Sequence, residues 1–174
     1  PPDMRAIDCA FYALPGQKWL LGPDETGALC VRESMIPLIE PVRPGGKSVK
    51  EFDHAGGYVP DAGTTDKFKS GTSNAALRAG FIQGISFVQQ VGVSAIDERS
   101  RMLASTLKEA LTDIPGVRVL SPMEGPGASG LVSFTVEGAD PEESCAWFWD
   151  SHRIVVRDVE HPPCLRASLD FFTT

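Results

Sequence analysis

Long apolar runs are missing from this 174-residue chain, and so is an excess of positive charge. No stretch approaches the roughly 20 apolar residues that a membrane-spanning helix needs, and the N-terminus carries no basic-then-apolar leader pattern. With 16 Lys and Arg against 23 Asp and Glu, the net charge of -7 argues against nucleic acids and anionic membranes as main partners. The four cysteines (Cys9, Cys30, Cys145 and Cys164) are scattered, and three lie in apolar strand-like or helical patterns. They read as reduced thiols of a cytoplasmic protein, not as a disulfide framework. The three histidines, His54, His152 and His161, lack the paired nucleophile and acid of a hydrolase triad. Gly46-Lys47-Ser48 imitates the end of a phosphate-binding P-loop, but Pro41 stands where that motif needs glycine. His161-Pro162-Pro163-Cys164 has metal-like spacing without a second ligand pair, so no metal is expected. Internal repeats and low-complexity tracts are also lacking.

What is present is a mixed α and β pattern. Strand-like runs at 6–12 and 28–32 bracket a loop with turn signals at Pro15-Gly16 and Gly22-Pro23. Lys18 sits in this loop. Shielded between apolar strands, its amine would have a lowered pKa and act as a nucleophile toward a carbonyl group. Residues 40–69 are rich in Gly, Pro, Asp and Lys and read as a long loop. Leu77, Phe81, Ile85 and Val88 then form one helical stripe, with Gly80 and Gly84 beside it as small contact points. A capping box at 94–97 opens a second helix, with Ile96, Leu103, Leu107, Leu111 and Ile114 facing inward until Pro115-Gly116 stops it. Beyond that break, strands at 117–120 and 131–136 place Val132, Phe134 and Val136 on one face. Asp140-Pro141-Glu142-Glu143 starts a helix that should carry Cys145, Phe148 and Trp149 into the core. Two closing strands follow. The expected boundary separates residues 1–114 from a small α+β domain at 115–174.

Three segments carry a resemblance. The first comprises Asp8, Tyr12, Gly16-Gln17-Lys18-Trp19-Leu20, Gly22-Pro23, Thr26-Gly27-Ala28 and Val31-Arg32; the second is Phe68-Lys69-Ser70-Gly71-Thr72-Ser73-Asn74; the third runs from Ile154-Val155-Val156-Arg157 to Leu165-Arg166-Ala167-Ser168-Leu169. In this order they resemble class V aminotransferases, a branch of the fold-type I enzymes that includes cysteine desulfurases and isopenicillin N epimerase-like proteins. The resemblance implies an α/β fold: the end of a cofactor-binding large domain followed by a small α+β domain, the C-terminal portion of a longer homodimeric enzyme.

It also implies roles. Lys18 would be the attachment point of pyridoxal 5′-phosphate, with Gln17 beside it; Gly71 and Thr72 would bind the cofactor phosphate of the partner subunit; Arg166 would grip the carboxylate of an amino-acid substrate. The helix after Asn74 would add free N–H groups to the phosphate site. Read without the resemblance, Arg166 could equally be half of a structural salt bridge. Two departures stand out: Glu25 replaces a usual glycine, and Lys69 replaces a usual acid. Only eight residues separate Arg157 from Arg166, too few for the long cysteine-bearing loop of one desulfurase group, which favours a structural Cys164. Desulfurase or C–S lyase, epimerase and transaminase chemistry share these residues. The alternative is a truncated, non-catalytic remnant or partner-binding fragment.

Overall fold

The computed structural model describes residues 3–60 and 63–174. The chain divides into two compact units, one ending at Gln90 and the other beginning at Val91. That division lies upstream of the break expected at Pro115.

In the first unit, Asp3 caps the short helix α1 (Met4–Ile7), accepting from the Arg5 and Ala6 amides at 2.9 and 3.3 Å. This helix occupies part of the strand expected at 6–12; Asp8 ends it in the left-handed region at φ 51°. The strand instead runs from Phe11 to Pro15 (β1), pairing antiparallel with β2 (Gly27–Val31) from Phe11 opposite Val31 to Pro15 opposite Gly27. The expected loop at 40–69 contains a second hairpin, β3 (Val49–Phe52) with β4 (Tyr58–Pro60). Asp53 makes its turn: one carboxylate oxygen accepts from the Ala55 and Gly57 amides, both at 2.8 Å. Helix α2 (Ala75–Val91) follows, and of its stripe only Val88 is fully buried.

In the second unit, α3 (Val93–Thr112) lies against a four-stranded antiparallel sheet of order β5-β6-β8-β7. The expected capping box is not formed: Gly92 is the N-cap and makes no side-chain cap bond, which leaves Ser94 inside the helix. The strands are β5 (Val117–Val119), β6 (Leu131–Val136), β7 (Arg157–Glu160) and β8 (Pro163–Ser168), and α4 (Pro141–His152) connects β6 to β7. Ala104, Val132, Phe134 and Leu165 form the core, with Leu107, Leu111, Cys145 and Phe148 packed on it. Because α3 contributes Ala104 to this core, it belongs with the sheet. Asp140 caps α4 through the Glu143 amide at 3.0 Å, as expected. Trp149, however, is 48% exposed, with the Arg153 guanidinium 5.2 Å from its ring. The expected strand over Ile154–Val156 starts only at Arg157.

Lysine supplies an unexpected tie. Lys108, 1% exposed, donates to the Pro122 and Met123 carbonyls at 2.8 and 3.1 Å and pins the loop before β6 to α3. No single described helix is long and apolar enough to cross a membrane.

Candidate functional site

The Lys18 loop is clamped by backbone contacts that only glycine permits. The Gly16 amide donates to Thr26 O at 2.7 Å, and the Gly22 amide donates to Gly16 O at 2.8 Å. A Cβ on Gly16 would come within 2.5 Å of Thr26 Oγ1 and 2.7 Å of the Phe81 ring; one on Gly22 would also meet that ring at 2.7 Å. From the helix side, a Cβ on Gly84 would stand 2.6 Å from Leu20 O, and one on Gly80 would stand 2.6 Å from Pro23. The two helix glycines therefore let the lysine loop rest directly on α2, which accounts for their cost in helix propensity. Glu25, where the family pattern has glycine, sits at φ 64°, a conformation that favours glycine.

Within this rigid loop Gln17, Lys18 and Trp19 are all exposed. The shielding expected of Lys18 is not found among the described residues. β1 and β2 form only a two-stranded sheet, and neither strand covers the amine.

The second motif lies at the start of α2. Asn74 is the effective cap, its Oδ1 accepting from the Ala76 and Leu77 amides at 3.0 and 3.2 Å. Those amides are therefore not the free donors expected for an anion. Lys69, which replaces the usual acid, pairs with Asp66 at 2.5 Å. Gly71 and Thr72 are exposed, and a Cβ on Gly71 would meet nothing within 4 Å. The turn is thus open beside a threonine hydroxyl.

The third motif is on β8. Leu165 points to the α3 side of the sheet, and Cys164, Arg166 and Ser168 alternate onto the other side. Arg166 stands opposite Ser133 of β6 and Arg157 of β7, while Arg118 of β5 stands opposite Thr135. Three arginines thus share this face. Arg166 Nε is buried without a hydrogen-bond partner, and no ion pair holds the side chain among the described residues. The salt-bridge reading is not realised. An orphaned guanidinium donor on a basic face suits a carboxylate. Cys164 is 2% exposed and opposite Val159, and only His161 and Pro162 separate β7 from β8. It is packed in a strand, not carried on a mobile loop.

The three motifs lie in two units, Lys18 and Gly71-Thr72 in the first and Arg166 in the second. Sequence reasoning missed Arg157 as the cross-strand neighbour of Arg166. The signal was available, since the short spacing between the two arginines is that of a tight hairpin.

The family model for class V aminotransferases matches residues 1–172. A probable cysteine desulfurase of Xylella fastidiosa is 32% identical over 183 residues, spanning 99% of this chain and 42% of that protein. An isopenicillin N epimerase of Streptomyces clavuligerus is 30% identical over 185 residues, spanning 99% and 45%. Among solved structures, the cystine C–S lyase C-DES in complex with its product cysteine persulfide superposes with a TM-score of 0.83 at 25% identity, covering 100% of this chain and 45% of that one. The chain thus spans less than half the length of these relatives.

Proposed function

Because the chain belongs to the class V aminotransferase family, we propose that it forms part of a pyridoxal 5′-phosphate enzyme acting on an amino acid. When bound, the cofactor supplies an electron sink next to the substrate's α-carbon. Lys18 carries the cofactor and then moves the α-proton through its amine, with Gln17 beside it. Gly71 and Thr72 hold the cofactor phosphate across a homodimer interface. Arg166 holds the substrate carboxylate.

The observation that carries this reading is Arg166 Nε, a buried donor with no protein partner on a face that also bears Arg118 and Arg157. Such a group is costly to leave unsatisfied, and a bound carboxylate satisfies it bidentately.

Within the family's range of reactions, buried Cys164 and the two-residue β7–β8 turn favour C–S lyase or epimerase chemistry over a reaction that passes sulfur to a protein thiol. The test is an absorbance titration with pyridoxal phosphate, followed by cystine, cysteine and alanine. A visible band that is lost in Lys18→Ala, with amino-acid-dependent spectral change that is lost in Arg166→Ala, supports the assignment. Binding that is weak and equal in wild type and Lys18→Ala overturns it for this chain. Exposure of Lys18 favours a second reading, in which these residues alone fold but do not close around the cofactor and are non-catalytic. That reading predicts weak binding that is equal in wild type and Lys18→Ala, and a stable band that depends on Lys18 contradicts it.

A further inference from the structure

We propose that Arg78 and Arg43 bracket the Gly71-Thr72 turn and are cationic ligands of the same phosphate, an inference that rests on the phosphate role assigned to that turn. Gly71 and Thr72 need help, because the first-turn amides of α2 that would face an anion are already bonded to Asn74 Oδ1. Arg78, one turn into α2, supplies it. Its Nη1 donates to Ser73 Oγ at 3.2 Å, next to Thr72, which anchors the guanidinium at the turn. A guanidinium has five donors, and this contact uses one.

Arg43 is the second cation, placed near the turn through Ser70, the residue before Gly71. Together with Ser70, Pro41, Val42 and Phe68 it lines a cavity of about 300 Å³. Its segment is held to Ser70 by a glycine contact: a Cβ on Gly45 would fall 1.9 Å from Ser70 O. Fully buried Ser48 fixes Gly45, accepting from its amide at 2.7 Å and donating to its carbonyl at 2.9 Å. The turn at 45–48 is thus a clasp that holds the segment following Arg43 against Ser70.

The Asp66 carboxylate is paired with Lys69, and buried Lys67 donates to the Ile36 carbonyl. Neither Arg43 nor Arg78 has a carboxylate partner among the described residues. Two unpaired guanidiniums, one bonded to Ser73 and one lining a cavity with Ser70, match a phosphate dianion at the intervening turn in charge.

The test is a titration of this chain with inorganic phosphate, read from the amide NMR shifts of Gly71 and Thr72. Saturable shifts are expected, with affinity reduced about tenfold in Arg78→Gln or Arg43→Gln. The absence of saturable shifts, or equal affinity in the variants, overturns the proposal. Both side chains are on the surface, so an unchanged melting temperature shows that the variants remain folded. A second pair of ligands separates this inference from the reading beneath it. Binding of pyridoxal phosphate should weaken in Arg78→Gln while binding of pyridoxal, which lacks the phosphate, is unchanged. Loss of both to the same extent contradicts a phosphate role for Arg78. Insensitivity of pyridoxal phosphate binding to Lys18→Ala would contradict the cofactor assignment of Lys18 and leave the phosphate result standing.

Discussion

The two units solve the burial problem differently. Beyond Val91 the chain closes its own core: Ala104 and Val132 are 0% exposed and Leu165 is 2% exposed, between two helices and a four-stranded sheet. Before Gln90, Val88 is the one fully buried large apolar side chain among the described residues, and Phe11 and Leu29 in the β1–β2 pair are 45% and 58% exposed. A lone two-stranded sheet is marginal in water, and strands apolar on both faces are the pattern of a sheet covered on both sides. Stability and chemistry are thus divided. The unit with the carboxylate-binding candidate stands by itself, and the unit with the lysine presents a surface suited to further covering.

The largest expected effect comes from cutting the chain. Residues 91–174 expressed alone should melt cooperatively, whereas 115–174 should not, because that cut removes α3 and Ala104 from the core. Residues 1–90 alone should show no cooperative transition by calorimetry. Equal cooperativity in both halves would break the comparison. Next, Leu165→Ala should cost about 3 kcal/mol in urea unfolding, and Leu29→Ala in the exposed pair well under 1 kcal/mol. Lys108→Ala should cost about 2 kcal/mol, because it leaves the Pro122 and Met123 carbonyls without their donor. On the other side, Glu25→Gly should stabilise by about 1 kcal/mol, since the native φ of 64° strains any side chain and glycine not at all.

The smallest effect is a pH dependence. Burial, and after it the Asp158 carboxylate, pushes the Cys145 thiol above its ordinary value of about 9. A pKa raised by folding means that the unfolded chain releases this proton first. The stabilisation is therefore complete below pH 9 and is lost as pH rises through the folded value. Cys145→Ala should flatten the dependence of stability on pH above 9 and leave the dependence near neutrality unchanged, as checked by urea midpoints across that range.

How much of this could be read beforehand depended on the range of the forces involved. The α2 stripe, the Asp140 cap and the inward Val132, Phe134 and Val136 follow from local periodicity and were legible. Gly80 and Gly84 were legible as contact points, although the partner they admit, the lysine loop, was not. The β3–β4 hairpin was hidden because its strands have four and three residues and little alternation, so pairing and the Asp53 turn define them more than propensity does. The burial of Lys67 and Lys108 was not legible, because it depends on backbone carbonyls distant in sequence. Trp149 is half exposed in spite of its helical spacing, with Arg153 over its ring, a contact between residues four apart that periodicity does not announce. At the site, the order of Lys18, Gly71-Thr72 and Arg166 was legible. The exposure of Lys18 was not, since sequence alone does not say which faces of a strand pair are covered.

The most direct test of the account is chemical. The chain is incubated with pyridoxal phosphate, reduced with borohydride and mapped by peptide mass spectrometry. The account predicts that label concentrates on Lys18, in preference to the exposed Lys47, Lys50 and Lys69. Label spread evenly over these four lysines would contradict it.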